Sequence, residues 1–197
     1  MKWSAFKSAV IASLLASSQT ALSAAAEGEG PFGFVMGSDV AEYDCLLLTG
    51  GKYTCAAPKA HSNFETYIVQ ATSEQGICWI KGVGRDVSDT GHGLGLKQKT
   101  DGIASQIRSV YGSPTGRDDF LLATSIWDEF DDWMMAVAVG DRYYRHNWTN
   151  VGIRGVDDIT VAALAKSSQT GYVIVEFSSE SYGACQANQD AEDSSVF

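Results

Sequence analysis

Four segments of the chain have the hydrophobic pattern of β-strands. The range 64–72 is rich in β-branched and aromatic residues, and the range 77–83 is apolar on both faces, as in a strand covered on both sides. The ranges 159–165 and 172–177 also read as strands, and residues 172–177 alternate between more and less apolar positions. A fifth strand is predicted to begin at Lys52, just after a double-glycine turn.

A helical stripe follows the glycine-rich stretch after residue 86. Ile103, Ile107, Val110 and Tyr111 recur at helical spacing, and Gly112 then ends the pattern. We therefore expect a helix that ends at this glycine.

A longer helix is predicted over the range 126–145. Trp133, Val137, Gly140 and Tyr144 recur at spacings of four, three and four residues, which places them on one buried stripe.

These elements together predict an α+β fold in one domain. Short turns between the strands imply an antiparallel sheet of about five strands, with two to three helices packed on one face. The domain is expected to cover residues 27–185. Residues 186–197 are polar and acidic, and we expect them to form a disordered tail.

The first 26 residues have the order of parts of a secretory signal peptide. Two lysines precede the apolar run Ala9–Ala16, and small residues then lead to a cleavage site after Ala25 or Ala26. The apolar run is too short to span a bilayer, which needs about 20 apolar residues. The sequence therefore predicts a periplasmic or secreted protein that is not an integral membrane protein.

The charge of the chain argues against nucleic-acid binding. The formal net charge is −10. The leader contains two of the 14 basic residues and none of the 24 acidic residues, so the remaining 171 residues carry 12 basic and 24 acidic groups, a charge of −12. Such a surface repels phosphates, and we expect no nucleic-acid partner.

Four cysteines in an exported chain indicate two disulfides, for which three connectivities exist. Cys45 and Cys55 lie on either side of a Thr-Gly-Gly turn, which favours a local bridge. Cys78 and Cys185 would then form a long-range bridge. A metal site is the alternative, but the chain has no Cys-x-x-Cys pair and no histidine at ligand spacing.

A dense group of carboxylates lies near residue 130, and it consists of Asp128, Glu129, Asp131 and Asp132. With His92 or His146, these carboxylates have the chemistry for acid–base catalysis or calcium binding. The favoured interpretation is structural, because acidic side chains near a helix start interact with the positive end of the helix dipole.

No motif selects a catalytic mechanism. The glycine run at residues 82–95 matches neither the dinucleotide-binding fingerprint nor the P-loop, and the chain has no Gly-x-Ser-x-Gly elbow. Oxidised cysteines do not supply a thiolate nucleophile. The sequence leans against an enzyme and predicts no cofactor.

The last three residues, Ser195, Val196 and Phe197, give a separate hypothesis about partners. A free C-terminus that ends in a bulky apolar side chain fits the PDZ mode, in which a peptide adds as a strand and its carboxylate is captured. Periplasmic quality-control proteases carry such grooves, so Phe197 is a candidate recognition residue.

From residue 31 to residue 185 the chain resembles a family of small exported bacterial proteins of unknown function. The resemblance is carried by GPFGFVMG at residues 30–37, GICWIKGVG at 76–84, VYGSP at 110–114 and the segment 125–148. The family brings no catalytic residues. At the level of the fold, a glycine-led helix and an antiparallel meander are similar to BamE-like and β-lactamase-inhibitor-like exported modules, which work by protein contacts.

Two functional hypotheses follow. The first is an exported, non-enzymatic protein-interaction domain with an unknown protein partner and an undetermined oligomeric state. The alternative is a small hydrolase or a calcium-dependent binder that uses the carboxylates from Asp128 to Asp132.

Overall fold

The computed structural model describes residues 30–194, and strands dominate this part of the chain. The strands are β1 (Cys45–Thr49), β2 (Lys52–Cys55), β3 (Phe64–Thr72), β4 (Gly76–Gly84), β5 (Val87–Ser88), β6 (Gly116–Leu121), β7 (Arg142–Trp148), β8 (Asp158–Ser167) and β9 (Thr170–Ser178). The helices are α1 (Leu94–Tyr111), α2 (Trp133–Ala138) and α3 (Tyr182–Ser194). Short 3-10 helices cover Pro31–Gly33, Val40–Glu42 and Phe130–Asp132.

All nine strands belong to one antiparallel sheet, in the order β1-β2-β3-β4-β9-β8-β7-β6, and β5 also pairs with β9. The chain forms one meander from β1 to β4 and a second from β6 to β9. The two meanders meet where β4 pairs with β9, from Trp79 opposite Ser178 to Val83 opposite Ile174. The first strand of each meander, β1 or β6, is therefore an edge of the sheet.

The main core lies on one face of the sheet, here called the first face. Alternate residues of the central strands point to it, and Val69, Ile80 and Val175 are fully buried there. Helices α1 and α2 cover this face with buried apolar side chains that include Leu96 and Trp133.

Helix α3 covers part of the opposite face, here called the second face. Cys185 of α3 forms a disulfide with Cys78 of β4, beside Trp79 and Ile68. The rings of Trp79 and Tyr182 stack with their centroids 6.4 Å apart. A small second core therefore holds α3 on the sheet.

The predicted fold class is wrong in the size of the sheet and the placement of the helices. The sheet has nine strands and not about five, and helices pack on both faces and not on one. The prediction had no strand at β1, which is a run of leucines without alternation, and none at β6, in which three of the six residues are charged.

The predicted long helix over the range 126–145 is also wrong. Helix α2 covers only Trp133–Ala138, and Gly140 then adopts a positive φ of 81°, a conformation that favours glycine and ends helices. The chain continues as β7, where Tyr144, His146 and Trp148 are buried at every second position. Apolar residues that fitted a helical stripe thus belong to two different elements.

The structure describes most of the predicted C-terminal tail but not the predicted signal peptide. Residues 186–194, for which we expected disorder, form most of helix α3. The predicted signal peptide over residues 1–26 and the tail residue Phe197 lie outside the described residues. Within the described residues, no helix is both long enough and apolar enough to cross a membrane.

Both predicted disulfides are formed. Cys45 and Cys55 join neighbouring strands of the β1–β2 hairpin, and Cys78 and Cys185 join β4 to α3 across 107 residues of sequence. Disulfides are typical of proteins outside the reducing cytoplasm, in agreement with a periplasmic or extracellular location.

Removing the long-range disulfide should destabilise the protein more than removing the local one. In the loop-entropy model, closing a loop of this length contributes about 4–5 kcal/mol, whereas a ten-residue loop contributes about 2–3 kcal/mol. Urea unfolding of the pairs Cys78→Ala/Cys185→Ala and Cys45→Ala/Cys55→Ala measures the difference. An equal loss in the two variants would contradict this ranking.

Candidate functional site

The four predicted carboxylates lie on a loop and a short 3-10 helix before α2, not on the first turn of a long helix. Asp128, Glu129 and Asp131 are exposed, and Asp132 is half-buried. Within residues 30–194, no group of three or more histidine, cysteine or acidic side chains has the arrangement of a metal site. The structure therefore does not assemble these carboxylates into one centre.

His92 lies next to this segment but contacts its backbone. Its Nδ1 is 3.2 Å from the carbonyl oxygen of Phe130, and the two rings are 4.6 Å apart. The neighbouring Gly91 accepts a 2.8 Å hydrogen bond from the N–H of Met134. The glycine-rich loop thus packs against the start of α2, and His92 donates to a carbonyl oxygen there.

His146 belongs to a different cluster, which sequence reasoning did not find. It lies on the first face of β7 and is 9% exposed. Its Nε2 is 2.8 Å from Oδ1 of Asp101, which projects from the middle of α1. Since a carboxylate only accepts hydrogen bonds, His146 carries a proton on Nε2.

Tyr144 and Arg117 complete this cluster. The Tyr144 hydroxyl donates to Asp101, at 2.9 Å from each carboxylate oxygen, and accepts a 2.5 Å hydrogen bond from the Arg117 guanidinium. Burial raises the pKa of Tyr144, and its hydrogen bond to Asp101 raises this pKa further. The hydrogen bond to Tyr144 likewise raises the pKa of Arg117.

The Asp101 cluster is best explained as a connection between helix and sheet. A histidine oriented by a carboxylate is two-thirds of a hydrolase triad, which also needs a nucleophile within reach of the histidine. In the described part of the chain, His146 hydrogen-bonds only to Asp101 and has the rings of Tyr144 and Trp148 beside it. The Asp101 carboxylate of α1 thus accepts hydrogen bonds from two side chains of β7, and it forms a 3.6 Å ion pair with Arg117 of β6.

The β1 edge, which we define as the outward side of Cys45–Thr49, presents three successive exposed apolar side chains. Leu46, Leu47 and Leu48 are 70%, 65% and 53% exposed. Leu47 lies on the first face, because it is opposite Tyr53, and Leu46 lies on the second face. A strand that is apolar on both faces is typical of the centre of a covered sheet, yet β1 is at an edge.

The backbone of β1 also offers hydrogen bonds on its outward side. The Cα atoms of Cys45 and Cys55 are 4.1 Å apart, the short separation typical of a non-hydrogen-bonded antiparallel pair. Asp44 and Ala56 are the next opposite pair along the hairpin, and the N–H of Ala56 donates a 2.9 Å hydrogen bond to the carbonyl oxygen of Asp44. This bond is expected, because hydrogen-bonded and non-hydrogen-bonded pairs alternate along antiparallel strands. The N–H and C=O groups of Cys45 and Leu47 therefore point away from β2.

The opposite edge is protected by charge. Strand β6 has three consecutive charged residues, Arg117, Asp118 and Asp119. Asp118 and Asp119 form ion pairs of 2.6 and 3.1 Å with Arg145 and Arg142 of β7. Charged side chains on an edge strand discourage pairing with another chain. Strand β1 has none, so only one of the two edges has this protection.

A cleft of about 620 Å³ begins at the side of β1 that bears Leu47. It lies between the β1–β2 turn, the β3–β4 turn and the segment Gly37–Val40, and Tyr53 forms part of its wall. The cleft and the β1 edge are contiguous through Leu47, and together they form the candidate binding site.

Comparisons with protein-family models, with curated proteins and with solved structures found no match to this chain. The resemblance to a family of small exported proteins therefore stays an expectation.

Replacing Asp101 with alanine should lower the free energy of unfolding by about 1–3 kcal/mol, because the buried donors of Tyr144 and His146 lose their acceptor. Urea unfolding measures this loss. The matched control is Asp118→Ala, which removes an exposed ion pair with Arg145 and should cost less than about 1 kcal/mol. A loss for Asp101→Ala no larger than for the control would contradict the structural role of the cluster.

Proposed function

We propose that this protein is an exported, non-enzymatic domain that acts through protein contacts made at the β1 edge. The observation that carries the proposal is the exposure of three successive leucines on an edge strand without charged side chains. Exposed edges of this kind pair readily with other chains, and natural proteins usually protect them.

The proposed mode of contact is β-strand addition. In this mode, main-chain hydrogen bonds supply affinity and pockets for alternate side chains supply specificity. The outward N–H and C=O groups of Cys45 and Leu47 are suited to the hydrogen bonds, and the cleft beside Leu47 is suited to a side chain. The disulfide between Cys45 and Cys55 fixes β1 on β2, so the edge is held in an extended form before it binds.

The alternative, a small hydrolase or calcium-dependent binder at Asp128–Asp132, has less support. It requires a histidine close to these carboxylates, but His146 binds Asp101 and His92 binds the Phe130 carbonyl oxygen. No specific observation favours it over the interaction domain.

Introducing positively charged residues at the β1 edge should abolish binding of the partner. We expect the wild-type protein to recover a stoichiometric partner from native envelope extract, and the double variant Leu46→Lys/Leu47→Lys to lose it. Both leucines are exposed, so this variant should fold with a stability within about 0.5 kcal/mol of the wild type. The measurement is quantitative mass spectrometry of the proteins bound to each bait.

The matched control is Phe120→Lys, which changes an exposed apolar residue, 55% exposed, on the opposite edge strand β6. This control should recover the same partner as the wild type. Equal recovery by the wild type and the β1 variant would show that the contact surface is elsewhere, and the proposal would fail.

A further inference from the structure

The charge distribution around the β1 edge indicates the chemistry of the partner, and this inference rests on the proposed function. Of the described residues that line the cleft, Asp39 and Glu74 are acidic and none is basic. Acidic residues also precede the strand, at Glu42 and Asp44. A partner segment that enters the cleft therefore meets negative charge.

The two carboxylates keep hydrogen-bonding capacity for a ligand. Oδ1 of Asp39 accepts a 2.9 Å hydrogen bond from the N–H of Ala41, and Oε2 of Glu74 accepts a 2.9 Å hydrogen bond from Asn188. Each carboxylate has a second oxygen, and an ionised carboxylate accepts several hydrogen bonds. These interactions orient both side chains at the cleft without neutralising their charge.

The second face beside β1 has a different character. Lys52, the basic residue of the β1–β2 hairpin, lies on this face with its Nζ 5.8 Å from the Trp79 ring centroid. Leu46 and Thr54 face the same side. The second face beside β1 therefore presents the apolar Leu46 and the positively charged Lys52 next to polar side chains of α3, among them Asp190, whereas Leu47 on the first face lines the acidic cleft.

We propose that the β1 edge accepts an extended segment of a different protein in which basic and apolar side chains alternate. In a strand, successive side chains point to opposite faces. Lysine or arginine side chains of the segment would lie on the side of Leu47 and enter the cleft that Asp39 and Glu74 line. The apolar side chains would lie on the second face beside Leu46.

The same charges disfavour a second copy of this chain as the occupant. Two copies would each bring a formal charge of −10 and the same acidic residues to one interface. Like charges brought together across an interface cost free energy, whereas a basic segment is attracted and oriented. The geometry of the edge permits self-pairing, so the oligomeric state is one outcome of the test.

The test uses blocked nine-residue peptides and isothermal titration calorimetry with the full chain. The first peptide alternates lysine with valine, the second alternates glutamate with valine, and the third has the composition of the first with its lysines and valines in separate blocks. The lysine–valine peptide should bind with one-to-one stoichiometry, and the other two should bind at least tenfold more weakly.

Two variants locate the binding. Asp39→Asn/Glu74→Gln keeps the hydrogen-bond acceptors and removes the charges. It should weaken the binding of the lysine–valine peptide about 2- to 30-fold, as expected for the loss of two exposed ion pairs. Leu47→Lys should abolish binding, and Phe120→Lys should leave it unchanged. Absence of binding, equal binding of the glutamate peptide or the block peptide, or no effect of Asp39→Asn/Glu74→Gln would overturn the proposal.

The remaining outcomes separate this proposal from the proposed function. If the β1 variant loses its envelope partner but the lysine–valine peptide does not bind, the partner chemistry is wrong and the contact surface stands. If sedimentation shows a dimer that the Leu47→Lys variant dissociates, the occupant is a second copy of the chain. That result would also overturn the proposal of a basic segment. If the β1 variants change neither the recovery of the envelope partner nor the binding of the lysine–valine peptide, both proposals fail.

Discussion

The pairing of β4 with β9 is the constraint on which the rest of the structure depends. It joins the two meanders through residues that are far apart in sequence, such as Trp79 and Ser178, and Ile80 and Val175 are fully buried on the first face of the two paired strands. Because β4 and β9 end their meanders at the centre, the first strands β1 and β6 must lie at the edges. Ion pairs protect β6, whereas β1 presents leucines. The functional asymmetry thus follows from the topology and from the composition of two short strands.

The parts of the fold that sequence reasoning found are those with a strong local signal. The strands over 64–72 and 77–83 have β-branched or continuous apolar patterns, and the stripe ending at Tyr111 belongs to α1. Strands β1 and β6 lack such signals, because β1 does not alternate and β6 is charged. The apolar residues before Trp148 fit both the helical repeat of 3.6 residues and the strand repeat of two residues. Gly140, which lies between α2 and β7, is the residue that separates the helix from the strand.

The sites were less predictable than the fold. The disulfide pairing followed from the turn between Cys45 and Cys55, which is a local feature. The contact between Asp101 and His146 joins a helix to a strand 45 residues later, and no spacing in the sequence encodes how that helix lies on the sheet. The exposure of Leu47 was equally hidden, since only the strand order places β1 at an edge. Burial and edge position are tertiary properties, and a single sequence reveals them only in part.

The most direct test of the account is amide hydrogen exchange of β1 in the isolated protein, read residue by residue by NMR. The amide of Leu46 points to β2 and should exchange slowly, whereas the amides of Cys45 and Leu47 point outward and should exchange rapidly. That alternation would establish an unpaired edge strand available to a partner. Slow exchange of all three amides would show that the edge is already covered, and it would contradict the account.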